Sequence, residues 1–563
     1  MKKIKVLTII IIMILSISGC NKNSNKDKNS EKYDTTSNNS EYIHLSMVNP
    51  KTINPINNNE QSVGYIMDLV YDSLFTIDSD YNVVPQLVDS YSVSSDGKSI
   101  NIKLKDAKWH DKKPLTSEDV EFTVNLIKRS ESSPYKPLVD NIESVSTIDS
   151  NNLKINLKQP YAFSIDTLIF PIVSEKQLSG LNNNELNDYR KNMDGTGPYK
   201  IAKFDDRSNM ILTLNEDYYD KDKIKDAKKE INVIIVPDEE AQVAMTLALS
   251  SDITKVSLSD LSQFQAKQFK ITNYEGRGYE YIVFNYGNNI MKDINFRKAI
   301  AHAIDRNKIL KESYLGKASM VNFPLHSKSK YYDDSIKALD YNIKKSKEYL
   351  SKIDIDKLNN IVDTKSDDKK DETNKKQNEK DKKENTDKNE DKVDKEQKEN
   401  ERKKNLKEEI ERLNLKILVN KKNRERVKSA YMIKENLNDI GIKCTIVELE
   451  GNELSSALDK KEYDLALIGW ELSPVPDATD VINYSGYTDE KLTGYLNSLR
   501  NSNNIDNTKS IYKSIQKYTR DKVAFISLAI TDDYLVTNKR VEGNLKPNDF
   551  DIYEGIYHLN LEQ

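Results

Sequence analysis

Cysteine is nearly absent from this chain of 563 residues, which contains only Cys20 and Cys444. Cys20 ends an amino-terminal apolar segment, so Cys444 is the one cysteine left for a folded part. A single thiol cannot form an intrachain disulfide, and a lone buried thiol behaves as a small hydrophobic group. We therefore expect Cys444 to pack as an apolar residue within a predicted strand, residues 442–449.

The chain also lacks the residue patterns of common enzyme and metal sites. It has only five histidines, and none pairs with another histidine, a cysteine or a carboxylate at metal-ligand spacing. No Gly-x-Ser-x-Gly, Walker loop or His-Glu-x-x-His motif occurs. We therefore expect no enzyme activity, no cofactor and no metal site. A surface hydrolase, the alternative from the enzyme class, would need a nucleophile and a base that these histidines do not supply.

Neither sign of charge predominates in the composition. The chain has 86 Lys and Arg against 90 Asp and Glu, a net charge of -4. A nucleic-acid surface would need an excess of basic residues, so we expect no nucleic-acid partner. The length exceeds what one hydrophobic core usually organises, which predicts two or more lobes.

The amino terminus has the layout of a bacterial export signal. Three lysines within the first five residues precede an apolar run over residues 6–17, which is too short for a permanent membrane span. The run ends in ISGC, which resembles the bacterial lipobox, in which the cysteine is acylated and becomes the first mature residue. We expect residues 1–20 to be a lipoprotein signal and Cys20 the lipidation site. The protein would then be lipid-anchored to the outer face of the cell membrane; an ordinary cleaved signal is the alternative.

Two segments are too polar to bury a core. Residues 21–41 are almost all Asn, Lys, Ser, Asp and Thr and predict a flexible tether. Residues 354–409 mix Lys with Asp and Glu and contain almost no apolar side chain, which predicts a disordered insert in a surface loop. A solvated or transient helix supported by charge pairs is the alternative. Apolar residues at helical spacing indicate that its end, residues 403–413, is helix.

The segment 463–487, YDLALIGWELSPVPDATDVINYSGY, organises our interpretation of the rest. Its apolar run 465–468 is typical of a strand buried on both faces of a parallel sheet. Upstream, periodicity predicts strands at 415–419 and 442–449 and helices at 424–440 and 453–459. In such alternating units, ligands lie beyond the carboxyl ends of the strands.

Gly469 and Trp470 follow this predicted strand at the end where ligands collect. The glycine would let the backbone turn, and the indole would provide a flat apolar wall. Asp477 and Asp480 add negative charge in the loop that follows. A tryptophan that merely covers the edge of the sheet is the alternative interpretation.

Five stretches, in order along the chain, resemble the family 5 extracellular solute-binding proteins, the oligopeptide, dipeptide and nickel receptors of ABC importers. They are residues 92–128, 195–219, 281–310, the Gly469-Trp470 region, and residues 523–543. The resemblance covers nearly everything from residue 42 to the carboxyl end. It implies an α/β, two-lobed, periplasmic-binding-protein-like fold of type II, the large peptide-receptor class, with a hinge and a central cleft.

The resemblance also implies where the chain crosses between the lobes. Lobe 1 is predicted to be discontinuous, residues 42–278 plus 531–563. Lobe 2 is predicted to span residues 279–530 and to contain the charged insert.

Site residues can be transferred only in part. In peptide-binding members an aspartate shortly after Gly-Trp pairs with the ligand's amino terminus, and some members have an arginine just before it. This chain has Ser473 and Leu467 at those two places, which departs from the usual capture of a free peptide end. The candidate ligand-binding residues implied by position are Glu60, Gln61, Tyr135, Asn285, Arg424, Trp470, Asp477 and Tyr484.

The function that the resemblance implies is a substrate-binding lipoprotein of an ABC importer. It would capture a solute, most often a peptide in this family, between two lobes and deliver it to the permease and ATPase subunits. We expect a monomer. Two alternatives stay open: a receptor for a non-peptide solute such as a metal chelate or a glycan, and a surface receptor or signalling or adhesion lipoprotein with the same fold.

Overall fold

A computed structural model describes residues 41–191, 193–353 and 390–562 of the chain. The predicted signal, Cys20, nearly all of the predicted tether and residues 354–389 of the predicted insert lie outside the described residues. Within the described ranges, no helix combines the length and apolarity needed to cross a bilayer. The main hydrophobic cores belong to two lobes: one core lies in lobe 1, and two lie on opposite faces of a sheet in lobe 2.

Within the described residues, the strands form three larger sheets and two two-stranded ones. They are β1 (Ile43–Val48), β2 (Phe75–Ile77), β3 (Val83–Pro85), β4 (Val88–Val93), β5 (Ser99–Leu104), β6 (Ile142–Thr147), β7 (Asn152–Leu157), β8 (Tyr199–Asp205), β9 (Asn209–Leu214), β10 (Glu230–Val236), β11 (Ile253–Val256), β12 (Phe269–Phe284), β13 (Ala318–Ser319), β14 (Asn414–Asn420), β15 (Lys443–Leu449), β16 (Leu465–Glu471), β17 (Ile526–Asn538), β18 (Val541–Glu542) and β19 (Asn560–Leu561).

Helices cover and connect these sheets. They are α1 (Gln61–Met67), α2 (Ser117–Arg129), α3 (Lys136–Val139), α4 (Glu175–Leu178), α5 (Asn183–Asn187), α6 (Lys221–Ile224), α7 (Glu239–Leu247), α8 (Asn289–Lys292), α9 (Ile294–Ala303), α10 (Arg306–Glu312), α11 (Ile343–Leu350), α12 (Glu390–Arg412), α13 (Arg424–Asn438), α14 (Gly451–Asp459), α15 (Thr479–Tyr484), α16 (Glu490–Arg500) and α17 (Ile505–Lys522).

Lobe 1 is built on two four-stranded sheets, with strand orders β1-β10-β9-β8 and β4-β5-β7-β6. Its strands form because apolar residues alternate with polar ones. In β5, for example, Ile100, Ile102 and Leu104 are buried while Asn101 and Lys103 are exposed. The core of lobe 1 draws on residues 43–253 and 535–559, so the carboxyl-terminal segment returns to complete it.

Lobe 2 is built around a seven-stranded sheet of order β11-β17-β12-β16-β14-β15, with β13 paired to β17. The predicted alternation of strand and helix from β14 to β16 is confirmed, and β14 pairs in parallel with both β15 and β16. Leu465 and Leu467 face one core of the lobe, while Ala466 and Ile468 face another on the opposite side of the sheet. The continuous apolar run of β16 therefore reflects burial on both faces, as predicted.

The long antiparallel strands β12 and β17 run from one lobe into the other. Their register shifts between Glu275 and Tyr279, so the ladder is irregular where the lobes meet. Gly276 and Gly278 lie in this stretch, and a side chain at either position would collide with Thr531 or Asp533 of β17. The predicted crossing points at residues 278 and 531 both fall here.

The end of the charged segment departs from the predicted disorder. Residues 390–409, assigned to the disordered insert, belong to helix α12. Leu406 and Ile410 are buried in the core of lobe 2, and this apolar anchoring offsets the ordering entropy of the last turns. The prediction of disorder is wrong for 390–409, whereas helix at 403–413 is confirmed as far as Arg412, and Leu413 follows the helix.

Cys444 lies in β15 with 5% of its surface exposed and contributes to the core of lobe 2. Burial raises the pKa of its thiol to about 12. The prediction that this residue packs as an apolar group is confirmed.

Candidate functional site

A cavity of about 90 Å³ lies between the two lobes. Lobe 1 contributes Tyr81, Asp166 and Phe550, and lobe 2 contributes His326, Lys330, Tyr331 and the segment that follows β16. Arg277, from the irregular stretch of β12, also lines the cavity. The carboxyl end of β16 therefore faces a space that both lobes enclose.

Gly469 is required by packing and not by a turn, which corrects our interpretation of the sequence. It lies within β16, where a Cβ atom would collide with the guanidinium of Arg426. That guanidinium forms a two-point ion pair with Glu280 of β12, at 2.7 and 2.8 Å. The glycine thus makes room for a buried ion pair at the end of the sheet.

Trp470 follows directly and is one of two candidate residues that the structure brings to the cavity. Its ring is half-buried and packs against Tyr484, with the ring centroids 5.3 Å apart. Tyr484 itself is 46% exposed and does not line the cavity. Trp470 therefore forms an aromatic wall supported from behind by Tyr484.

Asp477 is the second candidate residue at the cavity, and both of its carboxylate oxygens are occupied. Oδ2 accepts a hydrogen bond from the hydroxyl of Tyr161 at 2.8 Å. Oδ1 accepts from the backbone and the hydroxyl of Thr479, at 3.0 and 2.5 Å. Since Tyr161 belongs to a loop of lobe 1, Asp477 joins the two lobes in this conformation.

The other candidates lie away from this cavity, although all remain predictions as ligand-binding residues. Glu60 caps helix α1, and Gln61 lines a different cavity in lobe 1. Tyr135 packs against the core of lobe 1. The amide of Asn285 donates to the backbone carbonyls of Lys461 and Tyr463. Arg424 is exposed in the first turn of α13, two residues before the arginine that pairs with Glu280.

Sequence reasoning missed Asp166, which lies in the loop between β7 and α4. Only 7% of its surface is exposed, yet the residue lines the cavity. Burial raises the pKa of its carboxyl group to about 6, and the charge of Lys330 offsets part of this effect. No motif surrounds it, so only the three-dimensional arrangement identifies it.

The same loop anchors lobe 1 to lobe 2 by an aromatic side chain. Phe163 is fully buried in a core that otherwise consists of residues 279–530. Its ring packs edge-on against Tyr331, with the centroids 5.7 Å apart. The backbone N–H of Ala162 donates to the carbonyl of Arg500 at 3.1 Å. The lobes are therefore in close contact on this side of the cavity.

Charged residues hold the irregular stretch of β12 and β17 in place. Asp549 pairs with Arg277 at 2.6 Å and with Lys255 at 2.5 Å, and Lys255 also pairs with Asp533 at 3.1 Å. Burial would raise the pKa of Asp549, but the two cations outweigh it and hold that pKa below its ordinary value. Arg277 also donates to the carbonyl of Leu472 at 2.9 Å and so ties β12 to the segment after β16.

Three larger cavities each lie within one lobe. One of about 870 Å³ in lobe 2 is lined by Arg306 and Tyr341, and one of about 750 Å³ in lobe 1 is lined by Gln61 and Lys255. A third, of about 280 Å³ in lobe 1, is lined by Glu60. None of the three joins the lobes. In the described part of the chain, no three His, Cys, Asp or Glu residues cluster so that they could hold a metal ion.

His110, which the sequence places beside Asp111, has a structural role. Its ring accepts a hydrogen bond from the backbone of Gly195 at 3.1 Å and contacts the carbonyl of Gly197 at 3.0 Å. Burial lowers the pKa of its imidazole to about 4. His110 therefore holds the turn at Gly195 and Gly197 in place.

Comparison with known proteins agrees with this architecture. Over 287 residues, the chain is 28% identical to a Brucella ovis protein provisionally named as an ABC transporter peptide-binding protein. That match covers 49% of this chain and 53% of the relative, so it spans about half of the relative's length. The oligopeptide-binding protein AppA of Bacillus subtilis is 23% identical over 525 residues, which cover 88% of this chain and 87% of that protein.

Among solved structures, the ABC transporter substrate-binding protein CtaP of Listeria monocytogenes superposes with a TM-score of 0.72 at 22% identity. The superposition covers 93% of this chain and 99% of that one, which establishes the two-lobed fold. A family profile described as bacterial extracellular solute-binding proteins, family 5 (middle), matches residues 82–376 and 371–491. These matches span most of the chain, which therefore belongs to the family 5 bacterial extracellular solute-binding proteins.

Proposed function

We propose that this protein is the substrate-binding lipoprotein of an ABC importer, which captures a peptide between its lobes and hands it to the permease and ATPase subunits. The observation that supports this most directly is the cavity at the carboxyl end of β16, because it is enclosed by side chains of both lobes. Ligands of α/β sheets collect at such strand ends, and hinged lobes can close on them. The peptide-binding names of the two relatives support the choice of ligand.

The proposal requires the lobes to move, because the cavity is small. Its volume of about 90 Å³ is well below the roughly 300–1,000 Å³ of typical small-molecule sites. A peptide therefore needs the lobes to separate further than in this conformation, with β12 and β17 as the hinge. The predicted lobe boundaries at residues 278 and 531 are part of this proposal.

Within the cavity, we assign ligand contact to Trp470 and Asp477. The indole offers an apolar surface that accepts side chains of different sequence. Asp477 becomes available once the lobes part, because its bond to Tyr161 crosses between them. The proposal also includes acylation of Cys20, which would hold a monomeric receptor at the outer face of the membrane.

Native mass spectrometry of the purified full-length protein tests the function. We expect copurifying peptides that are released on denaturation, and binding of the same synthetic peptides in calorimetry. A Trp470→Ala variant should weaken that binding, whereas Tyr341→Ala, a change at an exposed residue outside the cavity, should not. Retention of a metal chelate or a glycan in place of peptide would contradict the proposed ligand.

A further inference from the structure

Asp166 differs from the other acidic residues around the cavity because its carboxylate is buried and, in the described part of the chain, forms no hydrogen bond or ion pair with another residue. Both oxygens of Asp477 accept hydrogen bonds from protein groups, and Asp480 is exposed in the first turn of α15. Asp166 is 93% buried, and within the described ranges no other residue forms a hydrogen bond or an ion pair with its carboxylate. No described cation forms an ion pair with it; Lys330 acts on it only over a longer distance.

A buried carboxylate without a partner is costly, since it loses hydration and gains no hydrogen bond in exchange. Such a group contributes little to the stability of the fold, because a neutral side chain would avoid this penalty. Its position on the wall of the cavity between the lobes offers a reason. A ligand that supplied a cationic hydrogen-bond donor there would compensate the charge.

We propose that Asp166 is the binding point for a primary ammonium group of the captured ligand. The inference rests on the proposed function and names the chemistry that the site recognises. The shared chemistry is a positively charged amine, which the amino terminus of a peptide, a lysine side chain or a polyamine could each provide. Ser473 lines the same cavity but is neutral, so it cannot pair with an ammonium group as an aspartate would. In this proposal the negative charge is that of Asp166, in the loop of lobe 1.

The remaining charged groups of the cavity are consistent with this assignment. Arg277 is already paired with Asp549, and Lys330 is exposed with its ammonium over the ring of Tyr331. Neither of these two cations therefore forms an ion pair with the Asp166 carboxylate. An ammonium group seated at Asp166 would lie in the space that Trp470 also lines.

Calorimetry with the full-length protein and three probe sets tests the assignment. The sets are pentapeptides with a free amino terminus and no lysine, the same peptides acetylated at that terminus, and spermidine. We expect wild type to bind the free-amine peptides at least tenfold more tightly than the acetylated ones. Asp166→Asn should remove that preference and Asp166→Glu should retain part of it. Asp506→Asn, a charge-matched change on an exposed turn of α17, should leave it intact.

The outcomes distinguish the failure of the Asp166 assignment from the failure of the proposed function. Equal binding of free and acetylated peptides by wild type, or an unchanged preference in Asp166→Asn, overturns the role of Asp166 and leaves the receptor function standing. Binding of spermidine but of no peptide, with loss in Asp166→Asn, supports Asp166 and overturns the choice of peptide. Absence of binding to all three probe sets overturns both. Circular dichroism of Asp166→Asn and Asp166→Glu establishes that each variant is folded.

Discussion

The guanidinium of Arg426 lies against the Cα of Gly469 while it pairs with Glu280 through two hydrogen bonds. Three distant parts of the chain meet at this point, namely helix α13, strand β12 and strand β16. The ion pair is buried, with side-chain exposures of 14% for the arginine and 5% for the glutamate. Its geometry fixes the end of β16 from which Trp470 projects.

Gly469→Ala should destabilise the protein because the added methyl group displaces the guanidinium. Overpacking usually costs about 1–3 kcal/mol, and breaking a buried ion pair about 3–5 kcal/mol, so we expect a loss within roughly 1–5 kcal/mol. Gly494→Ala is the matched control, since a methyl group in that exposed helical position meets nothing within 4 Å. It should raise stability by up to about 1 kcal/mol. Urea unfolding measures both; similar stabilities for the two variants would contradict the packing role of Gly469.

Tyr161→Phe should favour separation of the lobes. The variant removes the hydrogen bond to Asp477, and a bond to a charged acceptor contributes about 1.5–3 kcal/mol. This shifts an open-to-closed equilibrium by roughly tenfold or more. Small-angle scattering of the ligand-free protein should therefore give a larger radius of gyration than wild type. Tyr341→Phe, at an exposed tyrosine, is the control, and an unchanged radius in Tyr161→Phe would show that the bond does not hold the lobes together.

Ligand binding should change the emission of Trp470. The chain has only two tryptophans, so Trp109→Phe leaves Trp470 as the sole reporter. Trp109 is 5% exposed and donates a hydrogen bond to Asp119 at 3.2 Å, and its replacement should cost about 1–3 kcal/mol without disturbing the cavity. Fluorescence titration of this variant with a peptide mixture should give a saturable shift. If calorimetry detects binding but the emission does not change, Trp470 does not contact the ligand.

The local spacing of apolar residues was sufficient to predict strand β16, whose carboxyl end faces the cavity. The run 465–468 and the helical spacing in 424–440 each follow from side-chain burial within one segment, so β16 and α13 were predictable. The sequence alone could not show that Arg426 forms the ion pair behind Gly469, because its partner, Glu280, is 146 residues away along the chain.

Asp166 was not predictable for a related reason. It lies in an irregular loop without periodicity, and its burial depends on lobe 2 covering that loop. Helix α12 shows the opposite case, since Leu406, Ile410 and Leu413 at helical spacing were enough to indicate helix at its end.

Asp166→Asn should stabilise the ligand-free protein at neutral pH. The pKa of this carboxyl is raised from 3.8 to about 6 in the folded state, so the folded protein binds more protons than the unfolded chain between these values. The stability from the protonated form is thus complete below about pH 3.8 and is lost as the pH rises through 6. Two pKa units correspond to about 3 kcal/mol, an upper estimate of the destabilisation by ionised Asp166 at pH 7.5.

Urea unfolding of wild type and Asp166→Asn at pH 4.5, 6 and 7.5 measures this effect. The advantage of the variant should be largest at pH 7.5 and smallest at pH 4.5. The other titratable groups that face the cavity, including Arg277, His326, Lys330, Tyr331 and Asp477, are the same in both proteins and largely cancel in the difference. Asp506→Asn should show no such trend. A variant less stable than wild type at pH 7.5 would mean that a protein group already compensates the carboxylate, which would remove the reason to expect a ligand ammonium at Asp166.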